Sequence, residues 1–322
     1  MVLTFPKPLS RSIIDLSSLK SRHRGVPSFV KVTQWGIPLT LAKHVVFYFG
    51  GMPASAEEPA LHSVTAGNDV YSSRNIHLIC IDKPGMGGTS VSYWHSIRRD
   101  WPRVVASVAD LLTIPGSYTV MGMSNGGPYV MACLTHPDLK HRVKAGCMVV
   151  GTSDVWASGY FSWRHPSGLL EGLYNSLPVV ITGPLTALLL KVGSLYLFQF
   201  GGYQSNLTHV NYHSDKVQTA VKTLLQDGGT NFGIGAAMDC QQGLSPLFAN
   251  HISTTIEAYS NINVPLIMWY GTKDRSVPMS TAEWLHALVP KAILQKVDGG
   301  HGLYFDHAEE ILDNLVSKLE EE

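Results

Sequence analysis

Thr119 to Tyr129 reads TVMGMSNGGPY, and within it Gly122, Ser124 and Gly126 form a Gly-x-Ser-x-Gly pattern. A serine hydroxyl at such a place could attack an ester or amide carbonyl. It is a weak nucleophile unless a histidine takes its proton, a carboxylate orients that histidine, and N–H donors receive the oxyanion. An apolar run precedes the serine and helix-compatible residues follow it. That context suits a tight strand-to-helix turn, which exposes Oγ and aims a helix N-terminus at the developing charge. Gly122 and Gly126 leave room for the turn, and Gly127 adds more. The pattern alone does not separate a nucleophile from a turn serine.

Partners occur far downstream. The apolar run LIMWY is followed by Gly271-Thr272-Lys273-Asp274-Arg275-Ser276-Val277-Pro278, and AILQKV by Asp298-Gly299-Gly300-His301-Gly302. Asp274 is the expected acid and His301 the expected base; Asp154, after the strand-like Val143 to Val150, is the alternative acid. Upstream, Phe49-Gly50-Gly51-Met52-Pro53-Ala54-Ser55 closes another apolar run. Its Met52 N–H, with that of Asn125, is the expected pair of oxyanion donors.

These groups meet only if several strands end along one edge. His44 to Phe49 (HVVFYF), Ile76 to Ile81 (IHLICI), Tyr118 to Met121, Val143 to Val150, Pro265 to Tyr270 and Ala292 to Val297 read as strands buried on both faces. Helical segments lie between them. One runs from Ser55 to Tyr71 with Glu57 and Glu58 near its positive end. A second starts at Asp100 as cap, with Val104, Val108, Leu111 and Leu112 on one face. A helix near Thr281 to Leu288 and a final one, with an Asp306/Glu309 capping box, complete the series. Ser28 to Thr33 and Ile37 to Ala42 read as an opening antiparallel pair around Gly36. The pattern predicts a mostly parallel α/β sheet covered by helices on both faces. In such a sheet the C-terminal strand ends share an edge, where ligands bind. The alternation lapses from about Ser153 to Ser260, which predicts an inserted cap. The expected division is an N-terminal arm over 1–27, a core over 28–152 and 261–322, and a cap over 153–260.

The motifs together resemble the α/β-hydrolase superfamily, specifically its capped serine hydrolases of carboxylesterase type. FGGMPAS resembles the family's oxyanion loop, usually His-Gly-x-Pro; IDKPGMGGTS (Ile81 to Ser90) resembles its Asp-x-Pro-Gly-x-Gly-x-Ser loop. GMSNGGPY resembles the nucleophile elbow, GTKDRSVP the acid loop and GGHG the histidine loop, in the family's order Ser…Asp…His. Gly50 stands where many members have histidine, a departure outside the triad. A serine at the elbow argues against the branches with an aspartate nucleophile.

Composition narrows the partners. The 322 residues carry 24 Lys and Arg against 24 Asp and Glu, so no basic excess points to nucleic acid. Four cysteines lie scattered without metal-ligand or disulfide spacing, and neither the histidines nor any glycine fingerprint indicates a metal or cofactor. The first residues lack the apolar core of a secretory signal, so a cytoplasmic protein is expected. Leu177 to Phe200 is long and mostly apolar, but Pro178, Gly183, Pro184 and Lys191 interrupt it. It reads as pocket-lining helix rather than a transmembrane span, with peripheral membrane contact by the cap left open. Trp156, Tyr160, Phe161, Trp163 and Tyr174 either line a substrate pocket or pack the cap.

The leading expectation is a cofactor-free serine hydrolase acting on an ester of a small or medium apolar substrate. The same triad would serve acyl transfer, thioester cleavage or C–C hydrolysis. A ligand receptor on a hydrolase scaffold is the non-enzymatic alternative. Oligomeric state stays open.

Overall fold

A computed structural model describes residues 7–52, 55–153, 177–178, 181–186, 188, 235–239, 252–274 and 276–321. Eight strands form one sheet: β1 (Ser10–Asp15), β2 (Phe29–Gly36), β3 (His44–Phe49), β4 (Ile76–Ile81), β5 (Tyr118–Met123), β6 (Val143–Val149), β7 (Leu266–Gly271) and β8 (Ala292–Val297). Their order is β1-β2-β4-β3-β5-β6-β7-β8. β2 is antiparallel to both neighbours, while every pair from β4/β3 to β7/β8 is parallel. Six strands of one direction therefore deliver their C-terminal ends to a common edge.

Every residue of β3, β4, β5 and β7 is buried, as the continuous apolar runs require of strands covered on both faces. Strand alternation sends Phe47 and Phe49 to one face and Val46 and Tyr48 to the other. The first face packs on α3 (Ile97–Leu111), α4 (Gly127–Thr135) and α6 (Met279–Leu288), through Trp101, Val104, Val108, Val130 and Leu285. The second packs on α7 (Leu303–Glu320), through Ile311, Leu312 and Leu315, and on α2 (Pro59–Ala66). Two further helices are α1 (Ser17–Lys20) and α5 (Ile252–Ser260), the latter leading into β7.

Four local expectations are amended. Residues 10–15, expected in an N-terminal arm, form β1 and pair antiparallel with β2, Ser10 opposite Gln34. The opening pair is thus β1 with β2, and within 37–42 the chain makes a short 3₁₀ turn at Leu39–Leu41 instead of a strand. α3 starts a turn earlier than Asp100: Ser96 is its cap, and the buried Asp100 carboxylate accepts the Ser96 N–H at 2.8 Å. α7 begins at Leu303, ahead of the Asp306/Glu309 capping pattern, and kinks at His307 (φ −124°, ψ 22°). The predicted cap, 153–260, lies mostly outside the described residues, as does Asp154. Within it, 181–186 and 235–239 are helical. Among the described residues no helix is long and apolar enough to cross a membrane.

The loop after β4 is pinned by Asp82. Its carboxylate accepts the Ala56 N–H at 2.6 Å and the Gly88 N–H at 3.3 Å. Gly87, at φ +52°, leaves no space for a side chain, since a Cβ there would lie 1.9 Å from the carboxylate. Burial pushes the Asp82 carboxyl up to about 6, against the pull of Lys31 and of both N–H donors. The folded protein then holds this proton more tightly than the unfolded chain, whose carboxyl titrates near 3.8. The resulting stability is complete below that value and is lost as pH rises through about 6. Relative to Asp82→Asn, the wild type is expected to lose on the order of 3 kcal/mol between pH 4 and 7. Urea midpoints of the two proteins across that range measure the difference, and parallel profiles would contradict it.

Candidate active site

Ser124 directly follows β5 and adopts φ +49°, a left-handed conformation that a non-glycine residue reaches only under constraint. The glycines around it explain how the turn closes. A Cβ on Gly122 would meet the Gly126 carbonyl oxygen at 2.6 Å, and one on Gly126 would meet the Phe49 carbonyl oxygen at 2.1 Å. The elbow is thus wedged against the end of β3, next to the loop expected to supply an oxyanion donor. A Cβ on Gly51 would stand 3.4 Å from the Ser124 Cβ, which places that loop beside the serine. Met52 lies in it, half-buried.

His301 lies four residues beyond the end of β8, and Asp274 three beyond the end of β7. The two loops are knitted together by the Thr272 N–H to the Val297 carbonyl at 2.8 Å and the Lys273 N–H to the Gly299 carbonyl at 2.9 Å. His301 Nδ1 is 2.8 Å from Asp274 Oδ2, and His301 Nε2 is 2.9 Å from Ser124 Oγ. The other carboxylate oxygen of Asp274 accepts the Ser276 and Val277 N–H groups at 2.7 and 3.0 Å. The Asp274 side chain is fully buried, while that of His301 is 22 % exposed. An ionised carboxylate only accepts, so Nδ1 carries the ring proton and the Nε2 lone pair faces the serine hydroxyl. That is the tautomer a general base needs.

Several further residues hold this geometry. The Thr152 N–H donates to the Ser124 carbonyl at 2.9 Å, and the Thr152 hydroxyl reaches the Asn125 side-chain oxygen at 3.3 Å. Val150, a β-branched residue at φ +45°, turns the chain after β6 on the way to Thr152. Glu58 is buried below the glycine loop and accepts the Tyr48 hydroxyl at 2.9 Å and the Gly51 N–H at 3.3 Å. Burial raises its carboxyl above the usual carboxylate range, while the Tyr48 and Gly51 hydrogen bonds, Lys83 and His301 pull it down. Lys83 is equally buried, and its ammonium contacts the Gly51 carbonyl at 3.1 Å and the Asn125 carbonyl at 3.2 Å. Lys83 lies in the glycine-rich IDKPGMGGTS loop, so a cation in an otherwise apolar and turn-forming stretch was the available signal. Thr152 carries none, and Glu58 reads only as an acid near a helix start.

Among curated proteins none matches this sequence. Solved structures of similar shape include a bromoperoxidase from Bacillus anthracis, 16 % identical, with a TM-score of 0.63 over 97 % of this chain and 100 % of that one. An esterase from Exiguobacterium antarcticum is 16 % identical, TM-score 0.62, over 91 % of this chain and 96 % of its own. The enol-lactonase from Burkholderia xenovorans LB400 is 12 % identical, TM-score 0.61, over 90 % and 96 %. At these identities the likeness is one of fold. The model of the "Alpha/beta hydrolase family" matches residues 60–314, most of the chain, and the protein therefore belongs to that family of enzymes.

Proposed function

We propose that this enzyme is a serine hydrolase that cleaves an ester of a small or medium apolar substrate through an acyl-enzyme on Ser124. The observation that carries the reading is the unbroken chain Asp274 Oδ2–His301–Ser124 Oγ, with links of 2.8 and 2.9 Å, set at three strand ends of one sheet edge.

Ser124 Oγ attacks the acyl carbon, its proton passes to His301 Nε2, and the carbonyl π pair moves onto oxygen. Asp274 holds the ring and balances the imidazolium. The Met52 and Asn125 N–H groups receive the oxyanion. As the tetrahedral adduct collapses, the bond to the leaving oxygen breaks, and that oxygen takes the proton from His301. A water molecule then repeats the sequence on the acyl-enzyme, giving its proton to His301 and releasing the acid. The esterase and enol-lactonase among the structural neighbours support ester or lactone bonds as the class to test. Residues 153–260 are the proposed cap, and their apolar and aromatic composition supports an apolar acyl group.

Two variants test the assignment. Ser124→Ala is expected to keep a cooperative melt and to lower turnover of p-nitrophenyl esters at least ~10³-fold, with no adduct from a fluorophosphonate probe. Comparable turnover in that variant would end the nucleophile reading. Asp274→Asn should cut kcat about 10³–10⁴-fold, because an amide imposes the wrong ring tautomer. Asp154→Asn should leave kcat near that of the wild type, and the reverse pattern would move the acid to Asp154.

A further inference from the structure

Lys83 Nζ has three N–H bonds and three acceptors. Besides the Gly51 and Asn125 carbonyls it contacts Asp239 Oδ2 at 2.9 Å, and the two side chains are only 4 % and 2 % exposed. Asp239 in turn accepts the Tyr129 hydroxyl at 2.6 Å, and the Lys83 ammonium sits 4.6 Å from the Tyr129 ring centroid. Asp239 comes from helix 235–239, inside the long segment between β6 and β7. That helix docks with no slack on the Lys83 loop: a Cβ on Gly235 would meet the Gly85 carbonyl oxygen at 2.5 Å, and one on Gly85 would meet the Gly235 Cα at 2.8 Å.

One of these contacts lands on the peptide that carries the proposed Met52 donor. The Gly51 carbonyl shares a planar trans peptide with the Met52 N–H, so the two point in opposite directions. Holding the carbonyl toward Lys83 aims the Met52 N–H away from Lys83. Positive charge on the carbonyl oxygen also polarises that peptide and strengthens its N–H as a donor. The Asn125 carbonyl anchors the elbow from the same side, while the Ser124 carbonyl, which shares its peptide with the Asn125 N–H, is held by Thr152. A buried ammonium bound only to carbonyls would be costly; the Asp239 carboxylate is what permits it there.

We propose that Lys83 and Asp239 are a positioning pair for the oxyanion hole, through which helix 235–239 sets the alignment of the Met52 donor. The proposal rests on the acyl-enzyme reading of Ser124. Neither residue touches substrate; both act through backbone peptides.

The test compares wild type with Lys83→Met, Asp239→Asn and the double variant, which leaves no unpaired buried charge. A fluorophosphonate probe reports the reactivity of Ser124, and a trifluoromethyl ketone, which forms a hemiketal oxyanion, reports the hole. With p-nitrophenyl butyrate, kcat should fall about 10²-fold in Lys83→Met and in the double variant while KM stays unchanged. Affinity for the ketone should fall by a similar factor, and Asp239→Asn should show a smaller change in the same direction. Folded variants with wild-type labelling rates and ketone affinity would overturn the proposal. So would a loss that tracks only the folded fraction measured by circular dichroism. If Lys83→Met does not fold, the double variant and Asp239→Asn decide by the same readouts. A wild-type protein that the probe leaves unlabelled would instead remove the Ser124 reading itself.

Discussion

The left-handed backbone at Ser124 is the constraint around which the rest of this molecule is arranged. A serine at φ +49° costs on the order of 1–3 kcal/mol, and nothing local to the residue repays it. The compensation is tertiary. Gly122 and Gly126 vacate the space that the reversed chain must cross, and β3 supplies the wall against which the turn is pressed. Thr152 holds the serine carbonyl and Lys83 the next one along. What the strain achieves is exposure of one hydroxyl at the mouth of a sheet otherwise closed on both faces.

Legibility in the sequence followed burial. Strands covered on both faces are apolar at nearly every position, and HVVFYF, IHLICI and LIMWYG announce themselves for that reason. β1 does not: SRSIID is an edge strand with one neighbour and mostly exposed side chains, so nothing obliges it to look like a strand. Ser96 is masked as a cap by Asp100, which one turn later has the composition of one. In the structure Asp100 does serve the helix start, by accepting the Ser96 N–H. His301 and Asp274 were readable since each sits in a glycine- or turn-rich loop after an apolar run, a local pattern. The groups that support them were not. Lys83 and Asp239 are 156 positions apart and meet where Gly85 docks on Gly235, a tertiary contact with no local pattern.

The site separates its charges by function. Asp274 and His301 are joined where the ring stays partly open to solvent, so a proton can be exchanged there. Lys83 and Asp239 are shut away, with every hydrogen bond of the ammonium directed at a fixed acceptor. In the proposed mechanism the first pair changes state during the reaction, and the second keeps a backbone still. Glu58, holding the Gly51 N–H from below, belongs with the second kind.

The segment between β6 and β7 leaves one strand and returns to its immediate neighbour in the sheet. Because the two strands are parallel, it leaves from the C-terminal end of β6 and re-enters at the N-terminal start of β7, crossing from one edge of the sheet to the other. In evolutionary terms the stretch between Thr152, which holds the Ser124 carbonyl, and α5 is a socket: changes of length or sequence there are expected to cost less than changes in the strands on either side. The Asp239 contact limits that freedom. A replacement segment that is to keep Lys83 satisfied must still present an acid to it, and must still offer a glycine where helix 235–239 meets Gly85. Diversification of this chain is thus expected to run around those two points and leave them in place.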